Sequence, residues 1–251
     1  MEVRLATEND KKGLYALWHE VFLDPEEIID DYYNTVIKAE NTVMAETDGK
    51  IVSALYLIET EIVHKGKAYK AYYVYAAATD ENYRRQGIMK NLLDYSTSLA
   101  KSRNIDYLFL HPERNREDLY NYYSKAGFKT AFYQKSESFD EKIFDADYSY
   151  VRWGKDVVEL DGRQNDDSSF TSEHGYVSYY CEMGMVYADY FVSETPCELM
   201  TDLHSFLGLK IAGANVPANE HDEFARKTGM IKKISDTAPE IRSAYMGLTL
   251  E

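Results

Sequence analysis

One continuous stretch, residues 71–89, constrains the fold of this chain more than any other part of it. Its first half is rich in tyrosine, valine and alanine up to Thr79, which predicts a buried strand. A polar turn follows and ends at Gly87, and apolar residues then recur at helical spacing from Ile88 to Ala100. The compact apolar run at residues 106–110 is the expected next strand. Strand, helix and strand in this order predict a right-handed βαβ unit within an α/β fold with a mixed sheet.

The turn before this helix has the chemistry of an anion-binding site. A glycine at a strand-to-helix turn allows backbone N–H groups to point outward, at the positive end of the helix dipole. Arg84 and Arg85 add two full positive charges at the same place. The turn therefore predicts binding of a phosphate or pyrophosphate group.

Two sequence motifs in this part of the chain resemble those of a known protein family. The turn resembles the (Arg/Gln)-x-x-Gly-x-(Gly/Ala) pyrophosphate loop of the GNAT superfamily of acyl-CoA N-acyltransferases, and residues 78–83 match the approach to that loop. Met89 departs from the pattern, so its side chain has to point away from the phosphates. Downstream, residues 122–128 resemble the family's aromatic-Tyr-x-x-x-Gly-Phe motif. The alternative is an ordinary βαβ turn followed by a helix that ends at Gly127.

The resemblance implies acetyl-CoA as co-substrate and assigns roles to particular residues. The backbone of β-strand residues Ala77, Ala78 and Thr79 would bond the pantetheine arm. Tyr123 would stand near the sulfur as the general acid, or alternatively would only orient CoA. A phenol, with a pKa of about 10, suits protonation of a thiolate. The residues implied in pyrophosphate binding are Arg84, Arg85, Gln86, Gly87, Ile88 and Met89.

The general base is not indicated by the motifs. Several family members carry a glutamate on the strand before the loop, where this chain has Tyr73. Candidates that could act instead, directly or through water, are Glu59, Glu61, Asp80 and His111. Where the family often has an asparagine that contacts CoA, this chain has Arg116, with Asn115 beside it, so that contact is not implied.

The chain divides into two expected lobes. Residues 1–137 form the catalytic GNAT domain, the acidic segment 138–148 is a linker, and residues 149–251 form a second, degenerate GNAT-like domain. In this second half, strands are expected at residues 151–160, 176–182, 186–193 and 209–214, with a helix at 198–206. Residues 224–230 repeat the pattern of residues 122–128, which suggests duplication, although chance similarity of two helix–glycine–strand junctions is the alternative.

The second lobe is expected to lack CoA chemistry. Where the first lobe has its basic turn, residues 194–198 are acidic and contain no glycine, and Ala225 stands in the place of Tyr123. This arrangement resembles tandem GNAT proteins of the Eis type, in which an inactive lobe shapes the acceptor pocket.

Composition excludes several classes of protein. A formal net charge of −15 argues against nucleic-acid binding and fits a cationic substrate. No apolar run reaches the length of a membrane span, and the N-terminus lacks a secretory apolar segment. Cys181 and Cys197 fit no disulfide or metal spacing, which favours reduced, buried thiols in a cytoplasmic protein, and the scattered histidines predict no metal.

The leading hypothesis is an N-acetyltransferase that moves the acetyl group of acetyl-CoA to a primary amine of a small cationic acceptor, directly within a ternary complex. An aromatic cleft among the 23 tyrosines would grip such an amine by cation–π contacts. The alternatives are acetylation of a protein N-terminus or lysine, and an acyl-CoA-binding sensor without turnover. The sequence names neither the acceptor nor the oligomeric state.

Overall fold

The computed structural model describes residues 1–139, 148–165 and 168–250. The helices are α1 (Lys11–Phe22), α2 (Glu26–Thr35), α3 (Ile88–Ser102), α4 (Glu117–Lys125), α5 (Lys155–Gln164) and α6 (Pro196–Leu207). The strands of the first half are β1 (Glu2–Leu5), β2 (Thr42–Thr47), β3 (Lys50–His64), β4 (Lys67–Thr79), β5 (Tyr107–Leu110) and β6 (Lys129–Ser138). Those of the second half are β7 (Ser149–Arg152), β8 (Ser169–Ser172), β9 (Gly175–Glu182), β10 (Met185–Val192), β11 (Ile211–Pro217), β12 (Arg226–Lys233) and β13 (Ala244–Tyr245).

The chain forms two compact units that alternate along the sequence. The first comprises Met1–Thr60, Tyr69–Lys129 and Met230–Glu240, and the second comprises Glu61–Ala68, Thr130–Gly229 and Ile241–Glu251. The expected lobes, 1–137 and 149–251, stay a prediction, and most of the expected linker 138–148 lies outside the described residues. The observed units differ from the expected lobes in one respect: Met230–Glu240, which follow most of the second unit in sequence, belong to the first unit.

The sheet of the first unit is mixed and runs in the order β1, β2, β3, β4, β5, β12. β4 and β5 are parallel, with Ala71 to Tyr73 opposite Tyr107 to Phe109, and α3 connects them as expected for a βαβ unit. The strand beyond β5 comes from late in the chain: Met230 in β12 lies antiparallel to Leu110. The first unit therefore completes its sheet with a segment that follows most of the second unit in sequence.

The amphipathic pattern of α3 explains how this helix is held on the sheet. Its buried residues Ile88, Leu92 and Leu93 join one hydrophobic cluster with Leu108 of β5 and Met230 of β12. Ile88 and Leu92 are four residues apart, and Ser96 and Ala100 continue this spacing after them, so the buried side chains share one helix face. Burial stabilises the unit by roughly 1.5–3 kcal/mol for each fully buried large apolar side chain. The core therefore fixes the N-terminus of α3 relative to β4.

The second unit contains a βαβ arrangement of its own. Its strands run in the order β6, β11, β10, β9, β8; β13 pairs with β6 and β7, and β7 also pairs with residues 61–63. β10 and β11 are parallel, and α6 lies between them in sequence. Leu199, Met200 and Leu203 of α6 are buried in the hydrophobic core of this unit. The order of strand, helix and parallel strand repeats that of β4, α3 and β5.

Two sequence-based expectations for the second half are wrong. The expected strand over residues 151–160 ends at Arg152, because Val157, Leu160 and Asp161 are buried at helical spacing in α5. The apparent repeat at 224–230 is not a helix–glycine–strand junction, since Gly229 lies within β12. The wrong strand prediction at residues 151–160 is explained by the adjacent residues Val157 and Val158 of α5, because valine favours strands.

Candidate active site

β4 changes direction before the predicted anion-binding turn. Ala76 has a φ of 43°, an uncommon backbone conformation for a residue other than glycine, and it interrupts the regular strand. The parallel pairing that places Tyr73 opposite Phe109 can continue only as far as Leu110, because Leu110 is the last residue of β5. The end of β4, which carries Ala77, Ala78 and Thr79, therefore extends beyond β5, as a pantetheine-binding segment requires. The carbonyls of Ala78 and Thr79 already accept protein donors, from Ser53 Oγ at 2.7 Å and Arg84 Nε at 3.0 Å.

The turn between β4 and α3 has the backbone conformation that an anion site needs. Gly87 is the N-cap of α3 with a φ of 77°, and Arg85 has a φ of 64°. The Gly87 carbonyl accepts the Asn91 N–H at 3.2 Å, so the N–H groups of the first helical turn, including those of Ile88 and Met89, precede the intrahelical ladder. A Cβ at Gly87 would meet nothing within 4 Å, so the surface in front of it is open. The cradle thus fits a pyrophosphate group.

The side chains of the turn separate into two sets. Arg84, Arg85 and Gln86 are exposed, and Gln86 Nε2 donates to the Asn82 carbonyl at 3.3 Å. Met89 is half-buried and packs against the hydrophobic cluster beneath α3, so it points away from the turn as its bulk demands. Ile88 is buried in the same cluster and contributes only its backbone to the cradle.

A buried carboxylate supports the turn from behind. Asp80 is 0% exposed, and its Oδ1 accepts the Asn82 backbone N–H at 2.8 Å, while the Asp80 N–H donates to the Val52 carbonyl at 2.9 Å. Lys50, at the start of β3, forms an ion pair with Asp80 Oδ2. The hydrogen bond from Lys50 lowers the pKa of Asp80, so the carboxyl group is ionised at neutral pH. No sequence pattern indicates Lys50, because it meets Asp80 only where β3 lies beside β4 in the sheet.

Tyr123 lies on α4, where its ring forms edge contacts with two neighbouring aromatic rings. The centroid distances are 5.3 Å to Tyr122 and 5.9 Å to Phe128. Among the described residues, nothing forms a hydrogen bond with its hydroxyl. Burial raises the pKa of Tyr123 to about 12, with a smaller contribution from Tyr122. The side chain is therefore a neutral proton donor at every physiological pH.

The structure weakens three of the four candidate bases. Asp80 forms an ion pair with Lys50, and Glu61 accepts a hydrogen bond from Arg152 Nη1 at 3.1 Å. Burial opposes ionisation of Glu59, but hydrogen bonds from Asn41 and Lys38 outweigh it and lower its pKa. A carboxylate stabilised by such donors is a poor proton acceptor at neutral pH. The fourth candidate, His111, directly follows the end of β5.

Where several family members carry a glutamate, this chain has an aromatic cluster. Tyr73 is 3% exposed and lies between Tyr75, at 6.0 Å, and Phe109, at 5.1 Å. Tyr75 stacks on Tyr32 of α2 at 5.1 Å, and Trp18 of α1 lies 5.7 Å away. Burial raises the pKa of Tyr75 well above its ordinary value, followed by the effect of Tyr32. Tyr75 therefore keeps its proton near neutral pH and is a poor acceptor for a proton from an amine.

Arg116, the residue in place of the family asparagine, is engaged by acidic neighbours on α4 and the loop before it. Its Nε donates to Asp118 at 2.8 Å, and its Nη1 donates to Glu113 at 3.2 Å. These exposed pairs hold the guanidinium within its own loop. We therefore do not expect Arg116 to bind CoA.

The second unit has an acidic turn at the position that corresponds to the CoA loop. Residues 193–195 join β10 to α6, and the carboxylate of Glu194 accepts hydrogen bonds from Arg152 Nη2 at 2.6 Å and Tyr150 at 3.3 Å. The guanidinium of Arg152 is thus already paired with a carboxylate of the protein itself. Such a site repels a pyrophosphate rather than binding it.

We expect one CoA molecule per chain. Titration calorimetry of the full chain with CoA should give a stoichiometry near one, because the turn at Arg84 to Met89 places two arginines at a helix N-terminus, whereas the corresponding turn of the second unit is acidic. The Gly87→Asp variant serves as the reference, since it should weaken this binding event by at least an order of magnitude. Two equivalent sites, or unchanged affinity in Gly87→Asp, would contradict the assignment.

Two cavities lie in the second unit, and no residue of the turn at Arg84 to Met89 lines either of them. One, of about 540 Å³, lies between α5 and β8, and another, of about 490 Å³, lies beside Arg152, His174 and Glu194. In the described part of the chain, no group of three or more histidine, cysteine, aspartate or glutamate residues is arranged to hold a metal ion. Both cysteines are free thiols, and Cys181 is exposed, contrary to the expected burial. No helix in the described ranges is long and apolar enough to cross a membrane.

Comparison with known proteins places this geometry in a family. Residues 2–131 match the model of the acetyltransferase (GNAT) domain. Among curated protein sequences, none is significantly similar to this chain.

Solved structures share the fold over almost the whole chain. Eis1 from Mycobacterium abscessus superposes with a TM-score of 0.69 at 11% identity, covering 94% of this chain and 74% of its own. A GCN5-related N-acetyltransferase from Kribbella flavida gives 0.64 at 14%, covering 92% and 70%. A putative acetyltransferase from Pyrococcus horikoshii gives 0.55 at 13%, covering 100% and 95%.

The matched domain spans more than half of the chain and contains the strand, the turn, α3 and α4. Its members transfer an acyl group from acyl-CoA, which is the ligand that the cradle at Gly87 fits. The chain therefore belongs to the GNAT family and is an acetyl-CoA-dependent acetyltransferase.

Proposed function

We propose that this enzyme transfers the acetyl group of acetyl-CoA to the primary amine of a small cationic acceptor, directly within a ternary complex. The observation that carries the proposal is a basic, open turn at a helix N-terminus together with a neutral phenol on α4. In this proposal the catalytic lobe is the N-terminal one, the lobe at residues 149–251 is degenerate, and the enzyme acts in the cytoplasm.

Bound acetyl-CoA supplies an activated thioester, and the residues of the chain supply position and a proton. The N–H groups after Gly87, with Arg84, Arg85 and Gln86, hold the pyrophosphate. The backbone of Ala77, Ala78 and Thr79 aligns the pantetheine arm along the open end of β4. Positioning of this kind converts a reaction between two molecules into one within a complex.

Tyr123 acts as the general acid. Its hydroxyl keeps its proton because burial raises its pKa, and no protein acceptor among the described residues competes for that proton. It donates this proton to the thiolate as the carbon–sulfur bond breaks and the amide bond forms, so that the departing group leaves as a neutral thiol. The amine releases its proton to solvent, and the Tyr123 phenolate regains one from solvent.

The cationic acceptor is favoured by charge. A net charge of −15 produces a long-range field that concentrates amines near the protein. The aromatic cluster around Trp18 and Tyr75 lies on the same unit as the CoA turn, but Trp18 is 2% exposed and its ring packs on other rings, so this cluster adds no support for a cation site. The amine panel below tests this acceptor class.

One observation favours a different function. The position of the expected base holds Tyr73, which is buried among rings and cannot act as a base. A protein that binds acyl-CoA without turnover would tolerate this replacement. The non-catalytic sensor is therefore the second candidate.

An amine panel tests these candidates. Release of free CoA thiol is followed with full-length protein and acetyl-CoA, using polyamines, aminoglycosides and lysine-containing peptides as acceptors. Thermal stabilisation by acetyl-CoA with turnover on polyamines or aminoglycosides supports the proposal. Turnover on peptides alone supports protein acetylation, and stabilisation without thiol release from any amine supports the sensor.

A further inference from the structure

The support behind the CoA turn consists of two charges, one hidden and one half-exposed. The Asp80 carboxylate is 0% exposed, whereas the Lys50 side chain that pairs with it is 54% exposed. Lys50 reaches Asp80 from the start of β3, and Asp80 is the first residue after β4. The pair therefore ties two adjacent strands together immediately before the turn.

Asp80 shapes the turn through its hydrogen bonds. Its Oδ1 accepts from both the backbone N–H and the Nδ2 of Asn82, at 2.8 and 3.2 Å. These bonds bend the chain into the 3-10 turn at Glu81–Tyr83, which leads into Arg84. Ser53 of β3 forms a hydrogen bond with Thr79 Oγ1, in the residue before Asp80, at 2.8 Å. The backbone that enters the CoA turn is thus fixed by side chains from β3 and by Asp80.

The same carboxylate has an electrostatic disadvantage. A buried negative charge behind an anion-binding turn repels the ligand through a region of low polarity, where screening is weak. Lys50 cancels that charge without occupying the turn itself. Among the described residues, it is the one basic side chain that forms a salt bridge with Asp80.

We propose that Lys50 is a positioning residue for CoA, which neutralises Asp80 and thereby lets a buried carboxylate shape the pyrophosphate turn without repelling the pyrophosphate. The inference rests on the proposed placement of CoA at Arg84 to Met89. It assigns a binding role to a residue that lies on a different strand from every motif residue.

Four variants test the role in the full-length protein by calorimetric titration with CoA. Lys50→Met leaves Asp80 uncompensated and should weaken CoA binding roughly tenfold, the size expected of one uncancelled charge near a surface site. Lys50→Arg keeps the charge and should bind like the wild type. Asp80→Asn keeps an oxygen for the Asn82 N–H and should bind CoA at least as well as the wild type.

The double variant Lys50→Met/Asp80→Asn separates charge from mere packing. Neutralising the carboxylate should restore CoA affinity to within about threefold of the wild type, although a second side chain has been changed. If Lys50 is only structural, the double variant should bind CoA no better than Lys50→Met. That outcome, or unchanged affinity in a folded Lys50→Met protein, overturns the inference.

Two controls complete the design. Lys155→Met removes an exposed lysine that pairs with Glu159 in the second unit, and should leave CoA affinity unchanged. Gly87→Asp tests the turn itself. If Gly87→Asp abolishes binding while Lys50→Met does not weaken it, the site is correct and the role of Lys50 is wrong. If neither variant affects CoA, the placement of CoA is wrong.

Discussion

We expect Tyr123→Phe to lower kcat by roughly 10²-fold or more, because a positioned general acid contributes about 10²–10⁴ to the rate. Phenylalanine keeps the ring that contacts Tyr122 and Phe128, so folding and CoA affinity should change little. Steady-state kinetics with a competent amine, and CoA titration of the same protein, measure the two effects separately.

The control for this variant is Tyr122→Phe, which removes the hydroxyl of the adjacent, 37% exposed tyrosine and should leave kcat close to the wild type. If Tyr123 only orients CoA, KM for acetyl-CoA should rise while kcat is nearly retained. If both parameters stay at wild-type values, Tyr123 is an ordinary packing residue and not the general acid.

The pH profile provides a further check on Tyr123. Burial raises its pKa to about 12, so the acid form persists below that pH and is lost only as pH rises through it. The rate should therefore not fall between pH 7 and 10 through loss of this proton. The same surroundings of low polarity raise the proton affinity of a thiolate, which helps the transfer despite the high pKa of the donor.

Gly87→Asp should weaken CoA binding by at least an order of magnitude. The new carboxylate faces the pyrophosphate, and the φ of 77° suits glycine far better than a residue with a side chain. Titration calorimetry on protein that retains its unfolding transition is the measurement.

Two variants separate charge from backbone strain in this experiment. Gly87→Asn has nearly the same size and tolerates positive φ, so it should lose much less affinity than Gly87→Asp. Gly66→Asp places the same carboxylate at a hairpin glycine with a φ of 72° and open space around it, and should leave CoA affinity unchanged. Equal losses in Gly87→Asn and Gly87→Asp would show that charge does not matter there.

The sequence predicted the elements whose signals are local. The βαβ unit from β4 to β5 follows from a buried strand, a glycine turn and an amphipathic helix, and the mixed sheet and the family were also correct. The inward direction of Met89 followed from its bulk alone. Tyr123 and the turn residues lie on the elements that the motifs indicated, and their roles stay predictions.

Other features depend on contacts between distant residues and have no local signal. Lys50 is an ordinary lysine after a hairpin turn until the fold brings it to Asp80. The helix α5 was mistaken for a strand because Val157 and Val158 favour strands by themselves, and packing against the second unit's sheet overrides that preference. Pattern matching also mistook the sequence around Gly229 for a repeat of the α4 junction.

The position of β12 late in the sequence has a consequence for the folding of the first unit during synthesis on the ribosome. Residues 1–129 are translated before the strand that pairs with the outer edge of β5, whose residues Tyr107 to Leu110 are all buried in the finished fold. Nascent chains usually fold their N-terminal domain first, but here that domain cannot close its sheet until Met230 to Lys233 have emerged. During translation the apolar edge of β5 is therefore an exposed template for strand pairing, and a natural point for a chaperone to bind.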